Sequence, residues 1–215
     1  MSTIRVSGDS SGYYDLTVPS TAGTNTIDLS KLPTTSAKTL AVDAINHTDG
    51  TSAMTISSAG VISQPALPCF HVTKNADQSV SDATIAVVTF ESVTDGSDRV
   101  INKGGLFANN KFTVTSTTTG VYYFYATLLA ESNQNTSDSY LYFRKNGTDQ
   151  HSMVYPTYNV GSYQWQFTLV GMIELNTASD YVELILDCDQ ANSAAMNINY
   201  HGNYHRTEFG GYKVR

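Results

Sequence analysis

From residue 70 onward, apolar and polar positions alternate with a period of two in short runs, the spacing of β-strands. The runs are FHVTK, ATIAVVTFESV, KFTVTST, VYYFYATLLAE, DSYLYFRKNG, HSMVYPTY, SYQWQFTLVGMIEL, YVELILDCD and FGGYKV. Turn signals separate them: Asp95-Gly96, Lys103-Gly104-Gly105, Asn109-Asn110, Gly120, Asn146-Gly147 and Asn203. Asn146-Gly147 is the strongest hairpin signal, because both residues tolerate the positive φ of a type I′ turn. Many short strands with regular turns predict a sandwich or barrel. No heptad, collagen triplet or longer repeat is present.

Residues 1–66 are patterned more weakly. TIRVS, YYDLTV, TLAVDAI and SAMTISSAGVIS read as short strands, and TIDLSKLP as one turn of helix before Pro33. This region is too poor in large apolar residues to bury a full core alone. It is expected to be an extended, β-rich N-terminal arm, of which about 60 extended residues would span at most about 200 Å at roughly 3.3 Å per residue. QPALPCF, with Pro65 and Pro68, favours extended backbone and marks the boundary.

One strand departs from simple alternation. In Val121–Leu128, one alternating set is Tyr122, Phe124, Ala126 and Leu128, and the other is Val121, Tyr123, Tyr125 and Thr127. Large residues on both faces predict burial on both. Either set can fill the interior, leaving the other to meet another copy of the chain. Tyrosine suits such a surface, having an apolar body and a hydroxyl that stays wet. Tyr163, Trp165 and Phe167 repeat the pattern on one face of a later strand. These seven aromatics are the expected core or subunit-interface residues, the interface being the trimer contact that the resemblance given below implies.

Composition narrows the partners. The 215 residues are 40% hydrophobic and only 14% charged, with net charge -7, against roughly 25% charged in typical domains. An acidic chain without a basic patch predicts no nucleic-acid binding. No run is long and apolar enough for membrane insertion. MSTIRVSGDSSGYYDL contains no apolar h-region, so either synthesis in a cytoplasm or a processed form is expected. Cys69 and Cys188 are expected to be reduced, mostly buried thiols.

Few residue constellations suggest chemistry. His201 and His205 have the i, i+4 spacing of helical metal ligands, but their Gly- and Asn-rich setting predicts a polar loop. DGSD at 95–98 and DCDQ at 187–190, with Asp187 and Asp189 on one side, are calcium candidates without EF-hand spacing. They are expected to be solvated turn carboxylates, so no metal and no cofactor is assigned. Asn46, Asn135 and Asn146 stand in glycosylation patterns of the kind that a Ser/Thr/Asn-rich chain produces by chance. No GxSxG, P-loop or dinucleotide fingerprint occurs, and no enzyme is expected.

Taken in order, PCF at 68–70, VVTFESV at 87–93, NKGGLFANNKFTVTSTTTGVYYFYATL at 102–128, LYFRKNGT at 141–148, LNTASDYVELIL at 175–186 and FGGYKV at 209–214 resemble the C1q/TNF-like globular domain. The resemblance implies an all-β fold, a jelly-roll β-sandwich head over residues 67–215 that forms a homotrimer with aromatic faces meeting at a threefold axis. GTSAMTISSAGVISQPALPCF resembles the leader of C1q-like heads in structural proteins of tailed bacteriophages. This second resemblance implies a non-enzymatic protein on the virion exterior, with residues 1–66 anchoring it to major capsid or tail proteins. Capsid decoration is the expected role. The alternatives are a tail-fibre tip that grips a host-surface glycan or receptor, and a soluble C1q-like ligand-binding module.

Overall fold

The computed structural model describes residues 3–7, 13–17, 44–46, 52–64, 67–91, 99–132, 139–155, 163–190, 193–200 and 207–214. The chain divides into two compact units, Met1–Pro65 and Ala66–Arg215.

In the first unit, β1 (Thr3–Ser7) pairs antiparallel with β2 (Tyr13–Thr17). A separate antiparallel sheet joins β3 (Ala44–Asn46), β4 (Ser52–Ile56) and β5 (Ile62–Ser63). The run expected as one strand over 52–63 is two, because Gly60 takes φ 78° and the amide of Gly60 bonds back to the Ser57 carbonyl. Val61 and Ile62 remain exposed beyond this turn. The helical turn expected at TIDLSKLP lies outside the described residues.

The second unit is an all-β jelly-roll sandwich of two antiparallel sheets. The larger sheet is built around β12 (Gly120–Ser132). One edge of β12 pairs along its whole length with β15 (Tyr163–Leu175). Its other edge pairs with β18 (Glu208–Lys213) and then β17 (Met196–Ile198). Beyond β18 come β6 (Cys69–Thr73) and β9 (Ile101–Asn102), and beyond β17 comes β7 (Gln78–Val80). The smaller sheet runs β10 (Phe107–Ala108), β11 (Lys111–Thr113), β16 (Tyr181–Cys188), β13 (Ser139–Lys145) and β14 (Thr148–Tyr155), with β8 (Thr84–Val87) also on β16.

Alternation decides what fills the space between the sheets. Tyr122, Phe124, Ala126 and Leu128 are fully buried there, together with Phe70, Phe167 and Phe209 from the same sheet. Phe112, Leu141, Phe143, Val182, Leu184 and Leu186 meet them from the smaller sheet. Phe70 stacks on Phe107 and Phe112 at 5.1 and 4.7 Å between ring centroids and meets Phe209 edge-on at 4.9 Å. Such packed rings add to burial through favourable quadrupole geometry. Tyr122 keeps its hydroxyl satisfied inside by donating to the Thr118 carbonyl.

The turns follow their residues. Asn146 and Gly147 have φ of 48° and 81° and form the two-residue loop between β13 and β14. Asn109 and Asn110, at φ 51° and 62°, close β10 onto β11 in the same way.

Candidate interaction face

The outward face of the larger sheet carries most of the exposed large apolar side chains on the second unit's strands among the described residues. Register sets its rows. One row is Cys69, Tyr212, Tyr123 and Met172. The next is Ile101, His71, Gly210, Tyr125 and Val170. The third is Thr73, Glu208, Thr127 and Thr168. Val214 hydrogen-bonds the Val121 carbonyl through its amide and extends the face beyond the first row. Val170, Met172, Tyr212 and Val214 are 51%, 54%, 46% and 48% exposed. A contiguous patch of such side chains is a mark of an interaction site, whereas single exposed apolar residues are not.

The expected aromatics thus separate by face. Tyr122, Phe124 and Phe167 belong to the core, and Trp165 packs against it half-buried. Tyr123 and Tyr125 lie on the outward face, half-buried by their neighbours. Tyr123 leans on Tyr212, ring centroids 5.5 Å apart. The side chain of Tyr163 lies outside the described residues. Sequence reasoning missed Tyr212, Val170, Met172 and His71. They complete the face only through strand register, which local patterning does not reveal.

A polar cluster sits within this apolar surface. The Tyr125 hydroxyl is 2.9 Å from His71 Nδ1, and His71 Nε2 is 3.7 Å from Glu208 Oε2. Gly210 makes this possible: a methyl group there would collide with the end of the Tyr125 side chain, which lies across it. The tautomer that suits both neighbours has Nδ1 accepting from Tyr125 and Nε2–H directed toward the carboxylate. Burial lowers the His71 pKa, against the opposing pull of Glu208. Burial raises that of Tyr125, assisted by the charge of Glu208.

The outward face of the smaller sheet is different in kind. Lys111, Glu183, Arg144 and Asp149 form one row across it. Arg144 Nε donates to Asp149 Oδ1 at 2.8 Å, and Lys111 Nζ lies 4.6 Å from the centre of the Tyr181 ring. Charges of alternating sign are suited to water.

The other sites expected from sequence can be placed in part. Asp187 is half-buried and Asp189 exposed. Burial and then Asp189 raise the Asp187 pKa. Among the described residues no group of three or more His, Cys, Asp or Glu is placed to hold a metal ion. His201, His205 and the 95–98 segment lie outside the described residues. Cys69 and Cys188 stand on different sheets and are not joined in a disulfide, and burial pushes the Cys188 pKa up to about 11. Among the described residues, no helix is long and apolar enough to cross a membrane.

No protein-family model matches the sequence, and no curated protein matches it. Among solved structures the chain is similar to murine APRIL, whose crystal structure was determined at pH 5.0. The similarity covers 69% of this chain and 99% of that chain, with 17% sequence identity and a TM-score of 0.48.

Proposed function

We propose that this protein is a non-enzymatic structural component of a tailed-phage particle, displayed on the exterior as a homotrimer and held to the shell by its N-terminal unit. The observation that carries the reading is the uncovered tyrosine-, valine- and methionine-rich face of the larger sheet. Two further copies of the same face are its natural occupants. The chain carries a net charge of -7, so copies repel unless they meet through a surface nearly free of charge. Glu208 is the one carboxylate within the three central rows of this face. A strongly basic partner would find little there to bind.

The particle assignment draws on the leader resemblance at residues 50–70. The exposed pair Val61 and Ile62 at the end of the β4–β5 hairpin gives that leader an apolar grip. An arm that binds only the assembled shell stabilises the shell by mass action, and three linked arms add avidity. Capsid decoration is favoured over a fibre tip, because the exposed Val61 and Ile62 of the β-rich N-terminal unit suit lateral contact with a shell.

The test is copy number per purified particle, by quantitative mass spectrometry against the major capsid protein. Hundreds of copies are expected for decoration. A few to a few tens would move the protein to a tail tip, with the outer loops as its binding surface. Absence from particles would overturn the virion reading in favour of a soluble binding module.

A further inference from the structure

We infer that assembly through the outward face of the larger sheet takes up protons at the His71–Glu208 pair, so that mild acid tightens the trimer and alkali loosens it. The inference rests on the self-assembly reading above and adds a regulation to that same face.

The geometry supplies the reason. His71, Tyr125 and Glu208 lie in adjacent rows on three neighbouring strands, surrounded by Tyr123, Tyr212, Val170 and Ile101. Covering this face with another chain removes water from the Glu208 carboxylate. A neutral imidazole 3.7 Å away does not compensate that loss. One proton added to His71 makes the pair neutral overall, as imidazolium and carboxylate. The imidazolium form is already provided for, because Nδ1–H can donate to the Tyr125 oxygen while Nε2–H faces Glu208.

The groups facing His71 can be named element by element. β12 presents Tyr125 and Tyr123, and β18 presents Glu208 and Tyr212. β9 presents Ile101, with Arg99 and Lys103 flanking that strand in sequence. Its own strand adds Cys69. Among these, the acid whose charge lies in contact range of His71 is Glu208. In the single chain, burial holds the His71 pKa below its ordinary value and so favours the neutral imidazole. If assembly raises that pKa by enclosing the carboxylate beside it, linkage requires proton uptake on association.

The experiment measures dissociation of the full-length protein by mass photometry on dilution from pH 8 to pH 5.5. Subunit exchange between labelled and unlabelled protein gives the same comparison where dilution does not dissociate it. The expected result is a trimer about tenfold or more harder to dissociate at pH 5.5 than at pH 7.5, since each subunit adds a proton to the linkage. Glu208→Gln should give a tight trimer with little pH dependence. His71→Gln should lose the tightening at pH 5.5. Glu183→Gln, on the charged face of the smaller sheet, should retain the wild-type profile. A trimer equally stable at both pH values overturns the inference and leaves the self-assembly reading standing. So does a slope that persists in both the His71 and Glu208 variants. A protein monomeric at every pH overturns self-assembly itself.

Discussion

Asp180 joins two turns at one end of the sandwich. Its carboxylate accepts from the amides of Asn176 and Thr177 at 2.9 and 3.1 Å and from the side-chain amide of Asn146 at 2.8 Å. Lys145 Nζ lies 3.4 Å away. Asn146 in turn accepts from the Tyr181 amide at 3.0 Å, so the β13–β14 hairpin is tied to the turn before β16. Burial alone pushes the Asp180 pKa up, but the bonds from Asn146 and Thr177, the Lys145 charge and the Asn176 amide outweigh it and hold the value below that of an ordinary aspartate. Asp180→Ala leaves three donors without their acceptor and is expected to lower unfolding free energy by about 2 kcal/mol. The sign with pH follows from the lowered pKa. The stabilisation is present above the unfolded-state value of about 3.9 and is lost as pH falls through the folded value. Acid titration of stability in Asp180→Asn should therefore flatten below about pH 4, where wild type still loses stability. Equal acid slopes would show that the carboxylate charge contributes nothing.

The β12 strand carries large side chains on both faces for two separate reasons, and paired substitutions distinguish them. Tyr122 and Phe124 are wholly enclosed between the sheets. Truncating a buried Phe costs roughly 3 to 5 kcal/mol, and two such losses approach the whole stability of a typical domain. Tyr122→Ser with Phe124→Ser is expected to abolish cooperative unfolding, read by circular dichroism. Tyr123→Ser with Tyr125→Ser changes only the outward face and should leave a folded but monomeric protein. Unfolding by both pairs would remove the support for an outward interface. The sequence announced both faces of this strand, but not which was inside, because alternation is blind to the side of the sheet on which the partner strands pack. The long strands β12, β13, β15 and β16, the Asn146-Gly147 hairpin and the turn at Asn109-Asn110 were legible for the same reason that they are stable: each has its own period or turn chemistry. β7, β9, β10 and β17 were not, since two or three residues contribute pairing without a period. Of the run expected over 83–93, the described part, which ends at Glu91, is a strand only at Thr84–Val87. Beyond it the Thr89 amide donates to the Gln78 side chain and the Phe90 amide to the Asn110 side chain, and side-chain bonds replacing a ladder leave no trace in hydrophobic periodicity.

For the molecule as a whole, the contrast between the two outward faces makes salt dependence informative. Each chain brings a net charge of -7, while the proposed contact face is mostly tyrosine, valine and methionine. Long-range repulsion then opposes association, and the short-range gain comes from removing apolar surface from water, at roughly 25 cal/mol per Å². Added salt screens the first term, since the Debye length falls from about 30 Å at 0.01 M to about 8 Å at 0.15 M. The apolar gain remains. At fixed neutral pH, self-association of the full chain should therefore strengthen as sodium chloride rises from 0.01 to 0.15 M, measured by sedimentation equilibrium. Contact through the row of Lys111, Glu183, Arg144 and Asp149 would give the opposite trend, because attraction between opposite charges is what salt weakens. A trimer that loosens with salt would transfer the interface to the smaller sheet. The uncovered aromatic face would then be left for a different partner.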